Sequence, residues 1–188
     1  YEMSYKTGIR RVDHVRHVIA LGKDTYSGGK ISYGLVEEMC QVLGEFAQIM
    51  KAYRVKDYRA YATSAMREAR NNQIVLDQIR VRTGIEVQII SNSEQRFISY
   101  KAIASKEGEF HKIIQKGTAI VDVGFGSMQI SLFDRNLLVT TENLPLGVLR
   151  IRGTLQDVNT TVEQYRDLIG EMVDNELENY KKMYLKDK

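Results

Sequence analysis

Residues 122–127 read Asp-Val-Gly-Phe-Gly-Ser and continue an apolar run that begins at Thr118. Closely spaced glycines let backbone N–H groups approach an anion with no Cβ in the way. An aspartate at a strand end can hold a hydrated cation such as Mg²⁺, which takes one or two carboxylates and keeps much of its water. The same six residues also read as a plain hairpin turn in which Asp122 bonds local backbone. No Gly-Lys-Ser/Thr follows, so this is not a Walker loop. No third glycine and no helix follow, so it is not a dinucleotide fingerprint.

A second stretch, residues 62–70, reads Ala-Thr-Ser-Ala-Met-Arg-Glu-Ala-Arg. Two hydroxyls and the fork-shaped guanidinium of Arg67 at the end of a short strand suit phosphate oxygens. The competing reading is an N-capped helical turn with solvated arginines. Glu94 stands three residues after Ser91 and completes a capping box, which engages its carboxylate. His14 and His17 would face opposite sides of a strand, so no metal pair is expected there. His111 has no partner in sequence, and no Gly-x-Ser-x-Gly elbow is present.

These residues need a scaffold, and the composition supplies one. The chain has 188 residues, 43% apolar and 27% charged, enough for a self-sufficient core and unlike a disordered chain. The formal net charge is +3 with both signs interspersed, so nucleic acid is not an expected partner. No apolar run reaches membrane-spanning length and no signal-peptide pattern opens the chain, so no membrane partner is expected either. The one cysteine, Cys40, excludes an internal disulfide and a multi-cysteine metal site, and points to a reducing, cytoplasmic setting. Cys40 shares the stripe Val36, Met39, Leu43, Phe46, Ala47, Met50 at helical spacing, so it reads as a core thiol rather than a nucleophile. The opening Tyr1-Glu2-Met3-Ser4-Tyr5 reads as interior sequence.

The elements are expected as follows. Residues 8–22 form a strand with imperfect alternation, and 26–30 a turn. A helix capped by Ser32 follows. Strands are expected at 58–62 and 86–90, flanking a helix over 72–82 that Gly84 closes. A helix starts at the Ser91 box, and a polar break covers 107–116. Strands at 118–123, 128–133 and 137–141 form a meander whose second turn is Asp134-Arg135-Asn136. Pro145 lies in the next loop. A second capping box, Thr160 with Glu163, opens a long helix with Val162, Tyr165, Leu168, Ile169, Met172 and Val173 inward. That helix ends in Lys181, Lys182, Lys186 and Lys188, which suit a helix C-terminus. Alternating strands and helices in two blocks, changing near Lys116, give an α/β chain with two lobes.

Taken together, Ala62 to Arg67, Thr83-Gly84-Ile85-Glu86-Val87 through Ile90-Ser91, Asp122 to Ser127 and Leu144-Pro145-Leu146-Gly147 resemble the exopolyphosphatase and guanosine pentaphosphate phosphohydrolase (Ppx/GppA) family. Their order and spacing agree over nearly the whole chain. The resemblance implies an actin-like, ribonuclease H-like α/β fold whose two lobes enclose a phosphate-chain site. Residues 1–116 would be a first lobe beginning just after its first strand and phosphate loop, and 117–188 the start of a second, so the fold is expected to be incomplete at both ends. It further implies a hydrolase releasing terminal phosphate from polyphosphate or guanosine pentaphosphate, with Mg²⁺ as cofactor, and it allows a homodimer.

Carried over residue by residue, the resemblance makes Arg67 a phosphate clamp and Asp122 the Mg²⁺-associated aspartate. Gly124, Gly126 and Ser127 would be the second phosphate loop. Three positions depart from the family pattern. Phe125 replaces a middle glycine, and Gln95 and Gln129 stand where glutamates are usual. A glutamine amide cannot accept a proton at neutral pH, so Glu94 is the nearby carboxylate left to act as base. The alternative from another class is a phosphate-chain or nucleotide-binding module with weak or lost hydrolysis. A phosphotransferase of the same superfamily fits less well, because no adenosine-binding segment is recognisable.

Overall fold

A computed structural model describes residues 1–6, 8–106, 110–155 and 161–184. Strands β1 (Glu2–Ser4) and β2 (Gly8–Arg10) pair as a short antiparallel hairpin. The expected strand over 8–22 stops at Arg10. Val12, Val15 and Val18 are three residues apart and all exposed, so they have no period-2 face to bury. Helix α1 (Leu21–Gly28) follows, and it takes in Tyr26, expected in a turn; Gly29 ends it in the left-handed region at φ 69°. Helix α2 (Tyr33–Ala52) has Ser32 at its N-cap position, though the Ser32 hydroxyl makes no capping bond. Instead the Ser32 N–H donates to Asp24 Oδ2 at 2.9 Å.

Strand β3 (Ala60–Ala62) runs directly into the short helix α3 (Ser64–Glu68). Helix α4 (Asn72–Thr83) ends at Gly84, φ 72°, as its sequence dictates. Strand β4 (Val87–Ile89) pairs in parallel with β3. Helix α5 (Asn92–Lys106) and helix α6 (Phe110–Ile113) lead to the meander β5 (Thr118–Val123), β6 (Met128–Asp134) and β7 (Leu137–Leu144), with β6 central. Arg135 and Asn136 both take positive φ, 51° and 64°, which is the turn that matches strand twist in a tight hairpin. Helices α7 (Val148–Thr154) and α8 (Val162–Tyr184) complete the described chain. The box that starts α8 is Thr161 with Gln164, one residue later than expected. The Thr161 N–H donates to Gln164 Oε1 and the Gln164 N–H to Thr161 Oγ1, at 3.0 and 3.3 Å. Glutamine serves this reciprocal cap as well as glutamate does. Thr160, Lys186 and Lys188 lie outside the described residues, as does 107–109 of the polar break.

Two apolar clusters hold the molecule. The first packs α2 on α4 and on the β3–β4 pair, through Val36, Met39, Cys40, Met66, Val75, Ile79 and Ile85. Cys40 is buried there, which pushes its thiol pKa up and leaves it unreactive. The second packs α8 on the meander, through Ile130, Leu144, Leu146, Ile151, Leu155 and Tyr180. Tyr165, Leu168, Ile169, Met172 and Val173 face it as expected, while Val162 is exposed. Among the described residues no helix is long and apolar enough to cross a membrane.

Candidate active site

The Asp122–Ser127 segment connects β5 to β6 and is held by α7. The first N–H groups of a helix have no partner within it. In α7 the loop supplies the partners: Val148 N donates to Gly124 O at 3.2 Å, Leu149 N to Phe125 O at 2.8 Å, and Arg150 N to Phe125 O at 3.3 Å. The Arg150 side chain adds Nε to Gly126 O at 2.8 Å. Three successive loop carbonyls thus point at α7. In a trans peptide the N–H points opposite to the preceding C=O. The amides of Phe125, Gly126 and Ser127 are therefore turned away from α7. Among the described residues none of the three donates to a protein acceptor, whereas Gly124 N closes the turn on Ser127 O at 2.9 Å. Successive N–H groups on one side of a turn are the geometry that receives an anion.

Close packing explains two glycines here. A Cβ on Gly147 would overlap the backbone of Gly126 and Ser127, and one on Gly126 would overlap the Tyr26 hydroxyl. The Phe125 ring, in place of a further glycine, stands exposed to solvent.

The loop meets the second motif directly. Tyr26 of α1 touches Gly126 and donates its hydroxyl to Ser64 Oγ of α3 at 3.1 Å. Burial raises the Tyr26 pKa, against the pull of the Ser64 hydrogen bond, so the phenol stays a donor. Helix α1 is fixed on α3 by Thr25 Oγ1, which donates to Ala65 O at 3.1 Å. Arg67 lies one turn along α3 from Ser64. Its Nη1 donates to Ile90 O at 2.6 Å and its Nη2 to Asn92 Oδ1, so it ties α3 to the start of α5. No acidic side chain pairs with it among the described residues, which leaves its charge uncompensated.

The start of α5 carries the capping box read from the sequence. Ser91 N donates to Glu94 Oε2 at 2.8 Å and Glu94 N to Ser91 Oγ at 3.1 Å. The Ser91 backbone N–H, then its hydroxyl, hold the Glu94 carboxyl below its ordinary pKa. Gln95 follows, half-buried, with its N–H on Ser91 O. One turn later on the same face, Ser99 Oγ reaches Asp122 Oδ2 at 3.5 Å.

Asp122 and Gln129 are direct cross-strand partners on β5 and β6, so their side chains share one face of the sheet. Between that face and α5 lies a hollow of about 320 Å³, lined by Ser99, Tyr100, Ile103, Ile120, Asp122 and Gln129 among others. Tyr100 seats α5 over β6: its hydroxyl bonds Ser131 Oγ, which shares a proton with Thr141 Oγ1 at 3.0 Å. Gln129 is only 4% exposed, and its Nε2 has no partner among the described residues. Asp122 is exposed, and no cluster of three His, Cys, Asp or Glu side chains is present among the described residues. One exposed carboxylate beside hydroxyl and amide oxygens fits a cation that keeps its water and takes its other ligands from a phosphate chain, as Mg²⁺ does. His17 sits apart, its Nε2 3.6 Å from Glu38 Oε1.

The model of the Ppx/GppA phosphatase family matches residues 5–188. The chain belongs to the Ppx/GppA phosphatase family. Relatives agree with that membership. The chain is 30% identical over 128 residues to exopolyphosphatase 1 of Mycobacterium leprae, covering 68% of this chain and 36% of that protein. It thus spans little more than a third of that relative's length. An exopolyphosphatase from Cytophaga hutchinsonii superposes with a TM-score of 0.81 at 19% identity, over 97% of this chain and 57% of that one. The Aquifex aeolicus Ppx/GppA protein gives 0.63 at 22% identity, over 87% and 52%. These likenesses show the actin-like α/β fold of the family.

The structure pairs Asp122 with Gln129 across β5 and β6, sets Gly124, Gly126 and Ser127 in the loop between those strands, and ties Arg67 to the start of α5. Gln95 lies on α5 one turn before Ser99 and is not among the residues that line the hollow, and Glu94 is turned into its own cap. Sequence reasoning missed Tyr26, Glu68, Ser99 and Arg150. Ser64 lies inside a motif already singled out, and Arg150 follows Leu144-Pro145-Leu146-Gly147 by three residues. Tyr26 carries no local signal at all.

Proposed function

We propose that the protein is an exopolyphosphatase-like hydrolase that releases terminal phosphate from polyphosphate or guanosine pentaphosphate. The observation that carries this reading is the set of three loop amides without a protein acceptor among the described residues, on a loop joined through Tyr26 and Ser64 to the helix whose Arg67 has no acidic partner. Both are fixed by hydrogen bonds before any ligand arrives, so charge on a phosphoryl group meets preorganised donors. Residues 1–116 and 117–188 act as the two lobes that meet along this site. Mg²⁺, held by Asp122 with hydroxyl or amide oxygens nearby, would supply neutralisation of phosphate charge. The loop amides hold non-bridging oxygens, Arg67 orients the chain, and the hollow beside Gln129 admits the attacking water.

A second reading, a phosphate-chain or nucleotide-binding module with weak hydrolysis, is favoured by one observation. Gln129, which lines the hollow, and Gln95, one turn before Ser99 on α5, are amides, and the Glu94 carboxylate is engaged in its cap. None of the three is a free base of suitable pKa. Phosphate release from polyphosphate and from guanosine pentaphosphate by the full-length protein, with and without Mg²⁺, separates the readings. Release supports the hydrolase, and binding without release supports the module.

A further inference from the structure

Arg150 bridges the β5–β6 loop, α1 and α3. Its main-chain N–H donates to Phe125 O at 3.3 Å and its Nε to Gly126 O at 2.8 Å. Its Nη2 pairs with Glu68 Oε2, at the end of the helix that carries Arg67. Its guanidinium lies 4.5 Å over the Tyr26 ring, whose hydroxyl in turn bonds Ser64. Its charge is compensated by Glu68 and its donors are turned to protein acceptors, so it is not arranged to touch a phosphate chain itself.

We propose that Arg150 is a positioning residue that sets the 126–127 peptide with its N–H toward the anion and registers the loop against the helix of Arg67. The reason is geometric. The Gly126 carbonyl is taken by Arg150 Nε, and the Ser127 N–H must point the other way. Gly126 has no Cβ to resist rotation, so without that bond the peptide can turn and present a carbonyl to the phosphate instead. A planar guanidinium meets Gly126 O, Glu68 and the Tyr26 face at once, and an ammonium cannot reproduce the fork. The inference deepens the phosphate-chain reading and rests on it.

The test is calorimetric binding of inorganic tripolyphosphate to the full-length protein, with melting temperature and circular dichroism measured alongside. Wild type binds. Arg150→Ala, folded, should bind at least about tenfold more weakly, as expected for loss of a charge-assisted hydrogen bond that holds a binding amide. Arg150→Lys should recover only part of that loss. Glu68→Gln, which leaves Arg150 in place but unpins it, should weaken binding by a smaller factor and guards against an unfolded alanine variant. The Ser127 amide should also lose its ligand-induced ¹⁵N shift in Arg150→Ala. If wild type binds and the folded Arg150 and Glu68 variants bind equally well, Arg150 merely packs and the inference is overturned. Full rescue by lysine also overturns it, since charge alone would then suffice. If wild type itself fails to bind, the phosphate-chain reading falls first and takes this one with it.

Discussion

At the scale of single residues, three side chains bear most directly on the proposed site. Arg67, the proposed phosphate clamp, also has a structural role, because its guanidinium bonds Ile90 O and Asn92 Oδ1. A merely solvated arginine would leave the fold untouched on removal. Arg67→Ala should instead lower stability by about 1–2 kcal/mol in urea unfolding, the scale of lost hydrogen bonds to a charged group. It should also weaken polyphosphate binding. Unchanged stability and unchanged binding together would remove Arg67 from the site. On the proposed reading, Gln95 and Gln129 limit the rate. A positioned base contributes roughly 10²–10⁴-fold. Gln95→Glu and Gln129→Glu, singly and together, should therefore raise phosphate release in the full-length protein. Gln129 is the more sensitive position, since its buried Nε2 has no acceptor and a carboxylate there would be exposed to the same desolvation. Turnover that is brisk in wild type and indifferent to both substitutions would place the base elsewhere.

At the scale of elements, local chemistry was readable and contacts were not. The Ser91–Glu94 box, the Gly84 stop, the Asp134-Arg135-Asn136 turn and the Cys40 stripe each depend on residues within a few positions, and each forms as read. The run over 8–22 misled because three valines at a spacing of three look apolar without having a face to bury. The second box slipped by one because Glu163 and Gln164 are equally able caps. Tyr26 and Arg150 were invisible because their partners, Ser64 and Glu68, lie 38 and 82 residues away. The capping assignment makes a pH prediction. The Glu94 pKa is lowered in the folded state, so its contribution is present above the unfolded value of about 4.3 and is lost as pH falls through the lower folded value. Glu94→Gln keeps a capping oxygen but no charge. Its stability deficit relative to wild type should therefore be present at pH 7 and shrink in thermal melts as pH falls below the unfolded carboxylate value of about 4.3. A deficit that persists at low pH would contradict the assignment. The contact between α7 and the loop makes another. Gly147→Ala should cost about 1–3 kcal/mol by overpacking against the Gly126–Ser127 backbone. Because it displaces the loop, it should reduce tripolyphosphate affinity as well. A stable variant with wild-type affinity would mean that the close approach is not needed.

At the scale of the whole molecule, two separately packed clusters meet through α1, α3, α7 and the β5–β6 loop, and the proposed phosphate-binding groups lie on both sides of that meeting. The net charge of this chain, +3, is modest, so the proposed phosphate-chain affinity rests on the placed amides and Arg67 rather than on overall field. The family membership, the actin-like fold and the order of motifs were all legible in sequence. The turn of the loop amides away from α7 was not, because it is imposed by a helix some 20 residues further along the chain. The central claim is that this arrangement holds a phosphate chain. The most direct measurement is titration of the full-length protein with polyphosphate, following heat of binding and released phosphate in the same samples. The account predicts saturable binding accompanied by phosphate release slower than a well-placed carboxylate base would give. Absence of saturable binding at millimolar phosphate-chain concentration would contradict it.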